Sequence, residues 1–76
     1  MGDVDLRGYL VALTPQGQES FRGVLKRDRT IRKSIPADTL EMAAWSEVVD
    51  ALMLDPKLQR RTLRMVVRLQ QVARDA

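Results

Sequence analysis

The chain contains neither cysteine nor histidine, and that absence limits how a protein of this size can be stabilised. One domain of 76 residues buries about 60–65% of the surface that its unfolded chain exposes, so its core is small. Small domains are commonly reinforced by disulfides, a bound metal or self-association. Disulfides and thiolate or imidazole metal sites are excluded because their ligands are missing. We therefore expect one tightly packed domain over residues 1–76, without metal or cofactor, that forms a homodimer.

The composition fits a folded protein with some affinity for polyanions. Hydrophobic residues make up 45% and charged residues 30% of the chain, which argues against disorder. The net charge is +3, and a basic balance favours anionic partners. Residues 1–5 are acidic and lack an apolar run, so no signal peptide is predicted. No segment reaches the roughly 18 apolar residues of a membrane span. We expect a cytoplasmic protein that does not contact a membrane.

The hydrophobic pattern predicts a mainly α domain of three helices with a short N-terminal strand. Residues 1–5 are predicted to be flexible, and residues 9–13 are rich in strand formers, with Gly8 marking a bulge or a close approach. A lone strand is unstable, so this one pairs either with residues 30–35 or with its copy in a second chain. The second option again favours a homodimer. Residues 30–35 fit a short strand or an extended connector.

The three helices are predicted over residues 15–28, 38–54 and 56–74. Thr14 precedes Pro15, which suits an N-cap followed by a first helical position. Asp38 and Glu41 have the spacing of a capping box at the start of the second helix. The Asp-Pro pair at residues 55–56 closes that helix and opens the third.

The apolar faces of the second and third helices supply candidate interface residues. Trp45 lies in the middle of the predicted second helix, where it is either a core anchor or the hot spot of an interface. The apolar arc of the third helix is wider than one neighbouring helix requires, which favours a subunit contact. The predicted interface comprises Trp45, Leu58, Met65, Leu69 and Val72.

Charge alternates along the chain in three blocks. Residues 22–33 hold six basic groups and one acid, residues 34–56 hold five acids and no base, and residues 57–76 hold six basic groups and one acid. The net charges of the blocks are therefore +5, −5 and +5. Such blocks either pair with one another inside a fold or oligomer, or present surfaces to a charged partner.

A basic stripe on the third helix is the main candidate for binding nucleic acid. Its members advance by three or four residues and so share one helix face: Lys57, Arg60, Arg61, Arg64 and Arg68. Such a face can follow a phosphate backbone, or it is a solvated or internally paired face whose Arg stems cover apolar surface. A second group, Arg27, Arg29, Arg32 and Lys33, either extends that surface or partly serves to complement the dipole of the first helix.

The acidic second helix is a possible counterpart of this stripe. Glu47 and Asp50 lie one turn apart and are predicted to meet Arg60 and Arg64 across an antiparallel hairpin of the second and third helices. The short turn at residues 55–56 permits that packing. Exposed pairs of this kind contribute about 0–1 kcal/mol each but help to set register. A carboxylate site for Mg²⁺ is not favoured, because any solvated helix shows this spacing.

Residues 7–17 (Arg-Gly-Tyr-Leu-Val-Ala-Leu-Thr-Pro-Gln-Gly) resemble the segment of MarR-type winged-helix regulators in which the wing strand leads into the next helix. In that family the helices that follow build the dimer interface. The resemblance covers eleven residues and assigns no DNA-reading residue to this sequence, because the recognition helix of the family precedes the matching segment.

These patterns leave two functional hypotheses. The first is a small dimeric regulator or accessory protein that binds DNA or RNA through Arg-to-phosphate contacts. The second is a protein-interaction module, such as an assembly factor, inhibitor or adaptor, without a role on nucleic acid. An enzyme is not predicted, because the chain lacks cysteine, histidine, a Ser–Lys pair and a phosphate-binding glycine loop.

Overall fold

A computed structural model describes the backbone of residues 5–75 and the side chains of residues 5–72. Within that range the chain is mainly helical and contains no strand. Connections of one to three residues join six helices: α1 (Leu6–Val11), α2 (Pro15–Arg27), α3 (Arg29–Ser34), α4 (Ala37–Met42), α5 (Trp45–Leu54) and α6 (Pro56–Asp75). The mainly α class is confirmed, and the predicted N-terminal strand is wrong.

Residues 9–13 belong largely to α1 instead of a strand. The Asp5 carboxylate caps this helix by accepting a hydrogen bond of 2.9 Å from the Gly8 amide. A β-carbon at Gly8 would collide with that carboxylate, so the glycine serves a helix cap and not a bulge. Leu6 and Leu10 lie four residues apart and are both buried, and their burial outweighs the strand propensity of the segment. The rest of the predicted flexible segment, residues 1–4, lies outside the described residues.

Residues 29–34 form a helix as well, so neither the strand nor the extended connector predicted at residues 30–35 is present. Asp28 caps α3 by accepting a hydrogen bond of 3.0 Å from the Ile31 amide. Ile31 and Ile35 are buried, as helical spacing allows. Without strands, the pairing that favoured a dimer loses its basis. The segment that resembles a MarR-type wing is likewise helical at residues 7–11, so the resemblance does not extend to structure.

The predicted second helix is broken in two at Ala43 and Ala44. Both residues are extended, with ψ of 154° and 146°, and Met42 is 80% exposed. The predicted capping box is absent, because α4 begins at Ala37 without a side-chain cap. Trp45 therefore starts α5 and does not lie in the middle of a long helix.

The starts of α2 and α6 are confirmed. The Thr14 hydroxyl accepts a hydrogen bond of 3.1 Å from the Gly17 amide, and Pro15 is the first helical residue. The Asp55 carboxylate accepts a bond of 2.8 Å from the Lys57 amide, directly before α6. α2 ends one residue earlier than predicted, at Arg27, and α6 reaches Asp75, one residue beyond its predicted end.

The core lies around α5, which packs against both α1 and α6, while α3 and α4 pack against α2 and α3 also contacts α6. The α5 side chains Val48, Val49 and Leu52 are fully buried. Trp45 donates its indole N–H to the Leu10 carbonyl at 2.7 Å, which fastens α1 to the start of α5. Its ring meets Phe21 of α2 edge-on, with centroids 6.3 Å apart. Trp45 therefore packs in the core of the chain, which is the first of the two roles considered for it.

Candidate nucleic-acid interface

Four cations of the predicted stripe lie exposed along α6. Lys57 and Arg68 mark its ends, with Arg60 and Arg64 between them. The eleven steps along the helix from Lys57 to Arg68 span about 16 Å at 1.5 Å per residue. Among the side chains that the structure describes, no carboxylate lies within ion-pair distance of these four. This face of α6 therefore carries charge of one sign over three helical turns.

Arg61, the fifth member of the stripe, is held by an internal partner. Its Nε and Nη2 atoms lie 2.9 Å and 2.7 Å from Oδ2 of Asp28. The Asp28 side chain is only 9% exposed, and its other oxygen caps α3. The pair joins α6 to the junction of α2 and α3. Arg61 was predicted either to bind phosphate or to belong to an internally paired face; it is internally paired, and its partner Asp28 was not predicted.

The environment of Asp28 keeps its carboxylate ionised. Burial works to raise the pKa of Asp28, but hydrogen bonds from Arg61 and from the Ile31 amide, together with the positive charge of Arg61, outweigh it. The net result is a pKa below the usual value for an aspartate. The bridge between α6 and the α2–α3 junction is therefore intact at neutral pH.

The second predicted cluster divides between two locations. Arg27 lies beside α6 and lines an open groove of about 750 Å³ together with Arg64 and Arg68. The other members, Arg29, Arg32 and Lys33, are exposed on α3, and they line neither this groove nor the smaller cleft described below. Of these four residues, only Arg27 shares a groove with cations of α6.

The large groove has a partly apolar lining. Val24 of α2 lines it together with Met65 and Leu69 of α6. Its charged lining residues include Arg27, Arg64 and Arg68. A ligand in this groove would meet apolar surface and guanidinium groups together, as an anionic amphipathic segment requires.

A smaller cleft of about 220 Å³ lies between α3 and the first turns of α6. It is lined by a hydroxyl and four cations: Thr30, Lys57, Arg60, Arg61 and Arg64. Arg64 also lines the large groove, so the two depressions share a wall. Thr30 was missed by the sequence analysis, because no local pattern shows that α3 folds back against α6.

The predicted interface residues divide between the core and the surface. Trp45 of α5 and Leu58 and Met65 of α6 lie in the core of the chain itself. Leu69 and Val72, by contrast, are 41% and 63% exposed. Internal packing thus explains the apolar arc of α6 as far as Val66, and the arc is exposed at Leu69 and Val72.

The predicted ion pairs across the α5–α6 hairpin are wrong, although the two helices do pack together. Asp50 pairs with Arg7 of α1 at 2.8 Å, since α1 covers that side of α5. Within the described part of the chain, Glu47 has no basic group at ion-pair distance. The acidic block therefore leaves the stripe on α6 uncompensated.

Comparison with known proteins adds no assignment. No family model, curated protein or solved structure matches the chain. Among the described helices, none combines the length and apolar character that crossing a membrane requires.

Proposed function

We propose that this protein is a small nucleic-acid-binding regulator or accessory protein, without enzymatic activity, that acts in the cytoplasm. The single observation that supports this is the row of four cations on α6 whose charged groups form no ion pair with any carboxylate among the described side chains. Arg27 from α2 adds a fifth charge beside the row. We call Lys57, Arg60, Arg64, Arg68 and Arg27 the α6 basic surface.

Phosphates suit the α6 basic surface in charge and chemistry. Its cations on α6 lie three or four residues apart, or about 4.5–6 Å along the helix, so neighbouring cations can contact different phosphates of one backbone. Arginine binds phosphate through two parallel N–H bonds. With four phosphates neutralised, log K falls with log salt at a slope of about −3.6, or about 150-fold between 50 and 200 mM.

The surface offers little for reading bases. Phe21 and Trp45 are buried in the core, and Tyr9 is on α1, so neither groove beside α6 is lined by an aromatic side chain. Without stacking platforms, affinity comes mainly from the nucleic-acid backbone. We therefore propose binding of DNA or RNA with little sequence preference.

Fluorescence anisotropy with labelled duplex and single-stranded oligonucleotides tests this function. The variant R60E/R64E/R68E reverses three charges on the α6 basic surface, and R29E/R32E/K33E reverses three exposed charges on α3. Both variants change the net charge equally. A site on α6 predicts that the first variant abolishes binding, whereas the second weakens it only slightly, through the loss of long-range electrostatic attraction. Equal losses, or binding without salt dependence, would refute the proposed surface.

Self-association remains part of the proposal, with Leu69 and Val72 as the contact. Both are exposed on the apolar side of α6, and two copies packed there would enlarge the basic surface. Arg68 lies close to this contact in sequence, so like charges oppose pairing and added salt should strengthen it. Sedimentation equilibrium at two salt concentrations measures this, and a monomer at both would exclude the dimer.

The apolar part of the large groove favours a second candidate function, a protein-interaction module. Val24, Met65 and Leu69 line the groove together with several arginines, a combination that fits an acidic amphipathic helix of another protein. This alternative predicts no salt-dependent binding of oligonucleotides, so the same anisotropy titration separates the two functions.

A further inference from the structure

We propose that the small cleft between α3 and α6 is a specific binding site for one phosphate group, and that it anchors the polyanion that the rest of the α6 basic surface follows. The inference rests in part on the proposed function, since the anchored group is expected to belong to a nucleic acid. It also applies to a free or terminal phosphate, which has the same chemistry.

The lining of the cleft consists of donors suited to an anion. Lys57, Arg60 and Arg64 contribute charged N–H groups from successive turns of α6, and Thr30 contributes a hydroxyl from the opposite wall. No carboxylate lines the cleft. Its volume of about 220 Å³ corresponds to about seven water molecules at about 30 Å³ each, which leaves room for a phosphate with part of its hydration.

Arg61 gives the cleft a rigid side. Two of its guanidinium nitrogens are fixed on Asp28 at 2.7 and 2.9 Å, yet the side chain remains 42% exposed and lines the cleft. A guanidinium has five N–H donors, so Arg61 retains donors beyond those used on Asp28. Because the bridge already holds the side chain in place, binding costs little additional side-chain entropy. The arginines at exposed positions of the stripe have no such support.

The two walls come from different parts of the chain, which distinguishes the cleft from a simple charged helix face. Thr30 belongs to α3, and the Asp28–Arg61 bridge fixes that helix against α6. A ligand that contacts both walls therefore depends on the fold, whereas general attraction to the stripe depends only on charge. This difference makes the site testable.

The first experiment uses inorganic phosphate as the probe. Amide ¹⁵N–¹H spectra of the full chain are recorded during titration with sodium phosphate and, in parallel, with sodium chloride at matched ionic strength. A phosphate site predicts saturable shifts for residues 28–31 and 57–64 that chloride does not reproduce. Equal shifts in the two titrations would overturn the site.

The second experiment uses uncharged and charge-matched variants. T30V removes the hydroxyl from the cleft, and T39V makes the same change on α4; R60Q removes a cation from the cleft, and R32Q removes one from α3. We expect T30V to lower affinity for phosphate and for oligonucleotides about 3- to 10-fold and R60Q about 10-fold or more, with much smaller effects of T39V and R32Q. Equal effects within each pair would refute the anchor.

The ligand source and the two proposals are separated by comparing oligonucleotides with a 5′-phosphate and a 5′-hydroxyl. If the oligonucleotide with a 5′-phosphate binds more tightly and T30V abolishes that preference, the site is supported and assigned to a terminal phosphate. If both oligonucleotides bind equally and T30V weakens both, the site is supported and assigned to the backbone. Phosphate binding without oligonucleotide binding supports the site and refutes the proposed function. Oligonucleotide binding that none of the cleft variants changes refutes the site and leaves the proposed function standing.

Discussion

Replacing Arg22 with methionine is expected to remove a large part of the stability of this fold. Arg22 projects from α2, its side chain is only 11% exposed, and it closes the break between α4 and α5. Its Nη1 atom donates to the Leu40 carbonyl at 2.7 Å, and Nη2 donates to the Ala43 carbonyl at 2.8 Å. The guanidinium carbon also lies 5.5 Å from the centre of the Trp45 ring. Arg22→Met keeps most of the aliphatic stem but leaves both carbonyls at the end of α4 without a donor.

The size of the effect follows from these bonds. A hydrogen bond to a charged group contributes about 1.5–3 kcal/mol, and two of them would give about 3–6 kcal/mol. The net loss of stability is smaller than this sum, because the substitution also removes a buried charge and the Nε atom of Arg22, which has no hydrogen-bond partner. Glu19 lies 3.5 Å from it, too far for a good bond. We expect a net loss of about 2–4 kcal/mol, a large share of the about 4–11 kcal/mol typical of a chain this size.

Thermal unfolding followed by circular dichroism and by the fluorescence of the single tryptophan measures this loss. With about 2.1 cal/mol/K of unfolding entropy per residue, 2–4 kcal/mol corresponds to a decrease in Tm of about 12–25 °C. The Tm of Arg22→Lys should lie between those of the unmodified protein and Arg22→Met, because an ammonium group cannot donate to both carbonyls with the fork geometry of a guanidinium. Arg32→Met is the control, because Arg32 is exposed and should change Tm by less than about 3 °C. A melting temperature of Arg22→Met within about 3 °C of the unmodified protein would refute the reasoning.

Two further predictions concern Asp28 and the glycines. Because the pKa of Asp28 is lower in the folded state, the ionised carboxylate stabilises the fold above the unfolded pKa of about 3.9, and this stabilisation is lost as pH falls through the folded pKa. Asp28→Asn should therefore lower Tm at pH 7, and the difference in Tm from the unmodified protein should disappear towards pH 2. A difference that stays constant with pH would contradict the Arg61 bridge. Gly23→Ala should raise the stability by about 0.5–1 kcal/mol, since the new methyl meets open space in the middle of α2. Gly8→Ala should instead lower the stability, because the new methyl displaces the Asp5 cap. Urea unfolding measures both changes in the free energy of unfolding, and changes of the same sign for the two glycine variants would contradict this account.

Local sequence signals predicted the parts of the fold that are determined locally. Thr14 with Pro15, and Asp55 with the proline after it, form their caps within three residues, so the starts of α2 and α6 could be located from the sequence. The basic stripe could be predicted for the same reason, because helical spacing alone places its members on one face.

The parts that could not be predicted depend on distant contacts. Ala43 and Ala44 are good helix formers, yet the chain is extended there. Arg22 donates to the carbonyls of Leu40 and Ala43 from 18 and 21 residues away. The segment at residues 9–13 was predicted as a strand, whereas the Leu10 carbonyl is held by the indole of Trp45. The pairing of Arg61 with Asp28 similarly joins residues 33 positions apart, and it decides which cations of the stripe remain available.

The shortness of three of the helices has a consequence for hydrogen exchange. α1, α3 and α4 contain six residues each, well below the about 12–15 residues at which an isolated helix becomes marginally stable. Their amide protons are therefore protected only while the helices are docked, and local opening exposes them without unfolding of α5 and the first half of α6. The α3 wall of the phosphate cleft belongs to this weakly protected class, so its amides should exchange with deuterium sooner than those of the α6 wall that it faces.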